Sequence, residues 1–231
     1  MTMDPRLLHG RRKLDTDDYR MMDLPNSLWG ARFADVPPHA SAAVQRYLLR
    51  ICDLVGTGQG LLLSGPRDSG KALTAAVIAK EAVRRGFTTY WTRVSDLRRD
   101  LRAKRILPIN DGTFVLDRCY EVGLLVLEDL RAEDAKDYTL SPRDIEDLIT
   151  GRAARHRATF VTTRLTDPQM VKVFPDFFAA TRRMLTRLIL GDASGPAPLP
   201  EVPPADLPSD RPSTPEPPGA ATMRLIDEFE D

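Results

Sequence analysis

Leu61-Leu62-Leu63-Ser64-Gly65-Pro66-Arg67-Asp68-Ser69-Gly70-Lys71 runs from a short apolar segment into a loop with the order G-x-x-x-x-G-K. A helical pattern follows, from Lys71 to about Arg85. Strand, glycine-bearing loop and helix N-terminus in that order make a phosphate cradle. The loop N–H groups turn inward, and the helix dipole favours negative charge at its start. Lys71 adds a full positive charge for the β- and γ-phosphates. Gly65 and Gly70 permit backbone angles and close approaches that a Cβ would block. The ordinary alternative is a strand-to-helix turn with a chance lysine; the flanking strand and helix weigh against it. One position departs from the pattern. Where a Ser or Thr hydroxyl would hold Mg²⁺, the chain has Ala72. Thr74 lies about 200° further round a helix, so it is no direct substitute.

Upstream, residues 1–40 are polar and proline-punctuated, and an arm with little regular structure is expected. Met21-Met22, Leu24, Leu28, Trp29 and Phe33 give it something to bury against the core; a partner-docking segment is the other reading. From Ser41, the residues Val44, Tyr47-Leu48 and Ile51-Cys52 recur at helical spacing.

Downstream, Phe87 to Trp91 is β-branched and aromatic, a second strand. Ser95 can cap a helix with Leu97 and Leu101 on one side. Its other face carries Arg98, Arg99, Arg102 and Arg105. Such a run is either a solvated face or a track for a phosphate backbone. Leu124 to Leu127 is a continuous apolar run ending in Glu128-Asp129. It reads as a central parallel strand whose carboxylates sit where α/β sheets bind ligands. One acid can support Mg²⁺ and the next can orient an attacking water. Ser141-Pro142-Arg143-Asp144 is a helix start with capping serine, proline and acid in order. Thr159 to Thr163 is a fourth strand, followed by Arg164. Asp167-Pro168 opens another helix. Phe177-Phe178, Met184-Leu185 and Leu188-Ile189 suggest a final helix bearing Arg182, Arg183 and Arg187.

The 231 residues suffice for one sizeable domain. Lys plus Arg and Asp plus Glu are 33 each, so any basic surface must be local. Cys52 and Cys119 have no metal or redox spacing, and His9, His39 and His156 are scattered. No apolar stretch is long enough to span a bilayer, and the first residues lack an apolar signal region. A cytoplasmic location is expected. Ten of the 19 prolines fall between Pro196 and Pro218. The expected organisation is an arm (1–40), a core (41–190), an extended proline-rich linker (191–222) and a peptide (223–231). Met223, Leu225, Ile226 and Phe229 among acids suit either a tethered ligand or a frayed tail.

The core resembles the DnaC/IstB group of AAA+ ATPases, helicase loaders and transposition helpers. Gly60 to Gly65 and the following loop are similar to its Walker A segment, Leu124 to Asp129 to Walker B, and Thr159 to Thr163 to sensor one. Trp29 to Asp35 resembles the segment preceding that family's core. The resemblance implies an α/β P-loop NTPase of AAA+ (ASCE) type, with a central parallel sheet flanked by helices and a lid reduced or absent. It implies ATP on Gly65, Pro66, Arg67, Asp68, Ser69, Gly70, Lys71 and Ala72, and Mg²⁺ supported by Glu128. It also implies a catalytic acid at Asp129, a sensor position at Arg164 and an arginine finger at Arg187. The implied partners are single-stranded DNA, a replicative helicase or a transposase, and further copies of the chain, with no membrane. Three departures stand out: Ala72 for Ser or Thr, Glu128 for Asp, and Arg164 for Asn. They point to slow hydrolysis or, as the alternative, to a catalytically degenerate P-loop scaffold acting through its C-terminal peptide.

Overall fold

Short apolar strands alternate with amphipathic helices, and each sheet face is closed by one set of helices. The computed structural model describes residues 12–106, 112–132, 139–174 and 185–190, without the side chains of 104–106 and 112–114. Its strands are β1 (Gly60–Ser64), β2 (Thr89–Arg93), β3 (Leu124–Leu130), β4 (Ala158–Thr163) and β5 (Leu185–Ile189). The helices are α1 (Thr16–Met21), α2 (Pro38–Leu49), α3 (Ile51–Gly56), α4 (Lys71–Arg84), α5 (Val94–Ile106), α6 (Gly112–Glu121), α7 (Pro142–Ala154) and α8 (Asp167–Val173).

The sheet is parallel throughout, in the order β2-β3-β4-β1-β5. Alternation along each strand divides the core in two. Leu61, Leu63, Trp91, Leu124, Val126 and Phe160 pack with residues of α2, α3 and α4. Leu62, Tyr90, Leu125, Leu127 and Val161 pack with residues of α5, α7 and α8. β4 lies between β1 and β3, so the loops after these three strands open side by side at the carboxyl edge. α7 starts as its sequence predicts: Ser141 Oγ accepts from Asp144 N at 3.2 Å, and Asp144 Oδ2 accepts from Ser141 N at 2.7 Å.

Three expectations are corrected. Leu185–Ile189 is not a helix but the edge strand β5, paired with β1 from Gly60↔Leu185 to Ser64↔Ile189. The helix expected from Ser41 is two helices, α2 and α3, meeting at Arg50. The arm has more regular structure than its composition suggests: α1 and two single 3₁₀ turns, with Met22 and Leu24 buried in the core. Lys80 of α4 holds it, donating to Trp29 O (2.6 Å) and Ala31 O (2.7 Å). The proline-rich linker, the peptide 223–231, Phe177-Phe178, Arg182 and Arg183 lie outside the described residues. Among the described residues, no helix is long and apolar enough to cross a membrane.

Candidate phosphate-binding site

The loop after β1 is held by its glycines. Gly65 has φ 153°, and a Cβ there would stand 1.7 Å from Leu190 O, next to β5. Gly70 is the left-handed N-cap of α4, with φ 85°, and a Cβ would meet Pro37 Cγ at 2.7 Å. No side chain caps α4, and its first turn carries no acid. Its unpaired N–H groups and positive dipole end therefore face the loop. Lys71 Nζ reaches back to donate to Gly65 O (2.8 Å), Pro66 O and Ser69 Oγ (3.2 Å). A phosphate would offer it a charged partner in place of two carbonyls. Burial lowers the Lys71 pKa and the Arg164 charge lowers it further, with Asp129 and Asp68 opposing.

The second wall is the end of β3. Leu127 pairs with Val161 but Leu130 pairs with Thr163, so β3 carries one extra residue: a bulge. Asp129 sits in it with φ 61°, a conformation that Asp tolerates better than most side chains. Its N–H donates to Thr162 Oγ1 at 2.9 Å. The bulge aims its carboxylate at two guanidinium groups. Arg131 donates to Oδ2 through Nε (2.7 Å) and Nη2, and Arg164 Nε donates to Oδ1 at 3.3 Å. Burial pushes the Asp129 carboxyl up, but the Arg131 bonds and the charges of both arginines outweigh it and hold the carboxyl below its ordinary range. Glu128 is turned the other way by the pleat. Its Oε2 accepts from Trp91 Nε1 (2.9 Å) and Arg93 Nε (3.3 Å), both on the same sheet face.

Arg67 to Leu73, Arg93, Glu128, Asp129, Arg131, Thr162 and Arg164 line one cleft of about 650 Å³, with Leu28 of the arm at its rim. Five cationic side chains face three carboxylates in that lining. The cleft brings together the loop, the paired acids and the residue after β4. Arg93 and Arg131 had not been singled out in the sequence. Their signal is positional: Arg93 ends β2 and Arg131 directly follows β3, both at the carboxyl end of a parallel strand.

Mg²⁺ does not fit these donors. Ala72 offers a methyl group at the hydroxyl position, and both carboxylates already hold N–H donors. Thr74, the nearest hydroxyl along α4, is fully buried. No three His, Cys, Asp or Glu side chains converge among the described residues.

Other predicted positions lie elsewhere. Arg98 does not belong to an exposed basic face: it is 7% exposed, and Nη2 donates to Leu140 O at 3.4 Å. Arg99 is exposed and paired with Asp96 and Asp100. Arg102 Nε donates to Thr139 Oγ1 at 3.1 Å. The Arg105 side chain lies outside the described set. Arg187 is on β5, beyond the cleft, in an ion pair with Asp167 at the start of α8.

A family model described as IstB-like ATP binding protein matches residues 11–191. No curated protein matches the chain. Among solved structures, the fold is similar to the DnaC helicase loader (19% identity, 72% of this chain and 100% of that one, TM-score 0.62). It is also similar to DnaI (21% identity, 74% and 96%, TM-score 0.62). A third is domain III of the Thermotoga maritima replication initiation protein DnaA (15% identity, 78% and 69%, TM-score 0.56). At these identities the likeness is one of fold, that of P-loop AAA+ proteins.

Proposed function

The chain belongs to the family of IstB-like ATP binding proteins, and from that premise we propose that it is a DnaC-like helicase loader acting in DNA replication. It binds ATP, assembles on single-stranded DNA and delivers a replicative helicase, and it hydrolyses ATP slowly. The observation that carries the reading is the convergence of the Gly65–Lys71 loop, Asp129 and Arg164 in one cleft at the carboxyl edge of a parallel sheet.

The roles follow from what each group touches. The loop amides and Lys71 take the phosphates. Asp129 is the group able to orient an attacking water, but only after it exchanges its bonds to Arg131 and Arg164. That exchange, together with Ala72, makes hydrolysis slow, because phosphoryl transfer draws its rate from positioning and charge. Arg187 acts on a neighbouring protomer only by leaving Asp167. Arg99 and Arg102 form the surface offered to DNA; Arg98, being buried, does not.

The test is ATP turnover with and without single-stranded DNA, beside retention of a replicative helicase on the immobilised protein. Basal turnover below about 0.01 s⁻¹, far under the usual enzyme range of roughly 1 s⁻¹ and above, and helicase retained only with ATP support the reading. Brisk turnover indifferent to DNA, with no helicase held, overturns it. The family match favours a second reading, a transposition helper, for which a transposase is retained instead.

A further inference from the structure

We infer that this cleft binds the polyphosphate of its nucleotide through guanidinium groups where relatives would use a divalent cation, so that binding does not require Mg²⁺. The inference rests on the nucleotide reading above and concerns the same site. A metal at such a site has two tasks: it neutralises phosphate charge and it fixes the phosphate oxygens in space. Here the positions able to hold it have been given over to cation recognition of another kind. Ala72 supplies no oxygen. Glu128 is 13% exposed and spends one carboxylate oxygen on Trp91 Nε1 and Arg93 Nε. Asp129 is turned by the β3 bulge onto Arg131 and Arg164, with both carboxylate oxygens engaged.

The same arrangement supplies what the metal would have brought. Arg131 and Arg164 are 48% and 43% exposed, at the mouth of the cleft that Lys71 also lines. Two guanidinium groups carry the charge of one divalent cation, of which the ionised Asp129 between them offsets one unit. Each is a planar fork suited to two phosphate oxygens at once. Asp129 holds both in place, as a carboxylate behind a metal ligand orients it. Burial first and then the Arg164 charge depress the Lys71 pKa, against Asp129 and Asp68, so the two cations in this cleft feel one another. An entering polyphosphate relieves that repulsion.

The experiment is a titration of a fluorescent ATP analogue into the full-length protein, in saturating Mg²⁺ and in excess EDTA. The expected result is a Kd that differs by less than about tenfold between the two conditions. Arg131→Ala with Arg164→Ala should weaken binding in EDTA by about tenfold or more, the loss expected for charged hydrogen bonds. Both side chains are half-exposed, so the double variant should melt within a few degrees of wild type; Arg131→Lys with Arg164→Lys, which keeps the charge, provides a second readout and should retain part of the affinity. Wild-type binding in Mg²⁺ that vanishes in EDTA overturns the inference and leaves the nucleotide reading standing. An absence of binding in both conditions overturns the nucleotide reading itself.

Discussion

Among the described residues, Arg152 is the largest side chain buried to zero exposure, and it holds four backbone carbonyls and a hydroxyl. Nε donates to Thr159 Oγ1 (3.0 Å), Nη2 to Ala158 O (2.6 Å) and Gly123 O (3.5 Å), and Nη1 to Cys119 O and Tyr120 O (3.3 Å). It ties α7 to the end of α6 and to the starts of β3 and β4. Arg152→Met nearly keeps the volume and removes the guanidinium donors of these oxygens, of which Gly123 O keeps the Ala158 N–H. A loss of about 3–5 kcal/mol is expected, and a fall in Tm on the order of 10 °C in thermal denaturation. A Tm within two degrees or so of wild type would mean the oxygens find other donors. In the sequence Arg152 stands only as one of three basic residues, with Arg155 and Arg157, at the end of a helical pattern, since nothing local distinguishes a buried arginine from a solvated one. Asp129 was legible as a cleft acid, because its place at the end of an apolar strand suffices for that. Its clamping by Arg131 was not, because that follows from one extra residue in the β3 register.

At the scale of elements, the arm and β5 are the instructive pieces. Lys80 is buried, bonds two carbonyls of the arm and stands 5.3 Å from the Tyr19 ring centroid. Burial, then Arg84 and Arg32, lower its pKa, so the charge is held here at a cost offset by those bonds. Lys80→Met removes the donor and keeps the stem. Amides of residues 19–31 should exchange with deuterium about tenfold faster or more, while the sheet keeps its protection. Equal exchange in both proteins would assign the arm's docking to Met22 and Leu24 alone. Composition made residues 1–40 look irregular, because the docking of the stretch around Trp29 and Ala31 depends on a lysine some fifty positions away. β5 was misread as helix for a related reason. Leu185, Leu188 and Ile189 fit helical spacing, and a five-residue run holds too few turns to decide by period. What makes it a strand is the open edge of β1.

For the whole molecule, the alternation of strand and helix along the chain was enough to read a parallel α/β sheet, and the resemblance of its loop, acid-tipped strand and fourth strand to known motifs pointed to the family. The strand order was not in the alternation, and the order is what makes the site: with β4 between β1 and β3, the loop, the bulged acid and Arg164 share one cleft. The account's central claim is that this cleft is a nucleotide site in which Lys71 and the loop amides take the phosphates. Its direct test is the affinity of a fluorescent ATP analogue for wild type and for Lys71→Ala, measured with melting curves to confirm that both are folded. The account predicts that wild type binds and that Lys71→Ala binds at least about tenfold more weakly at equal stability. Equal affinities, or no binding by either folded protein, would contradict it.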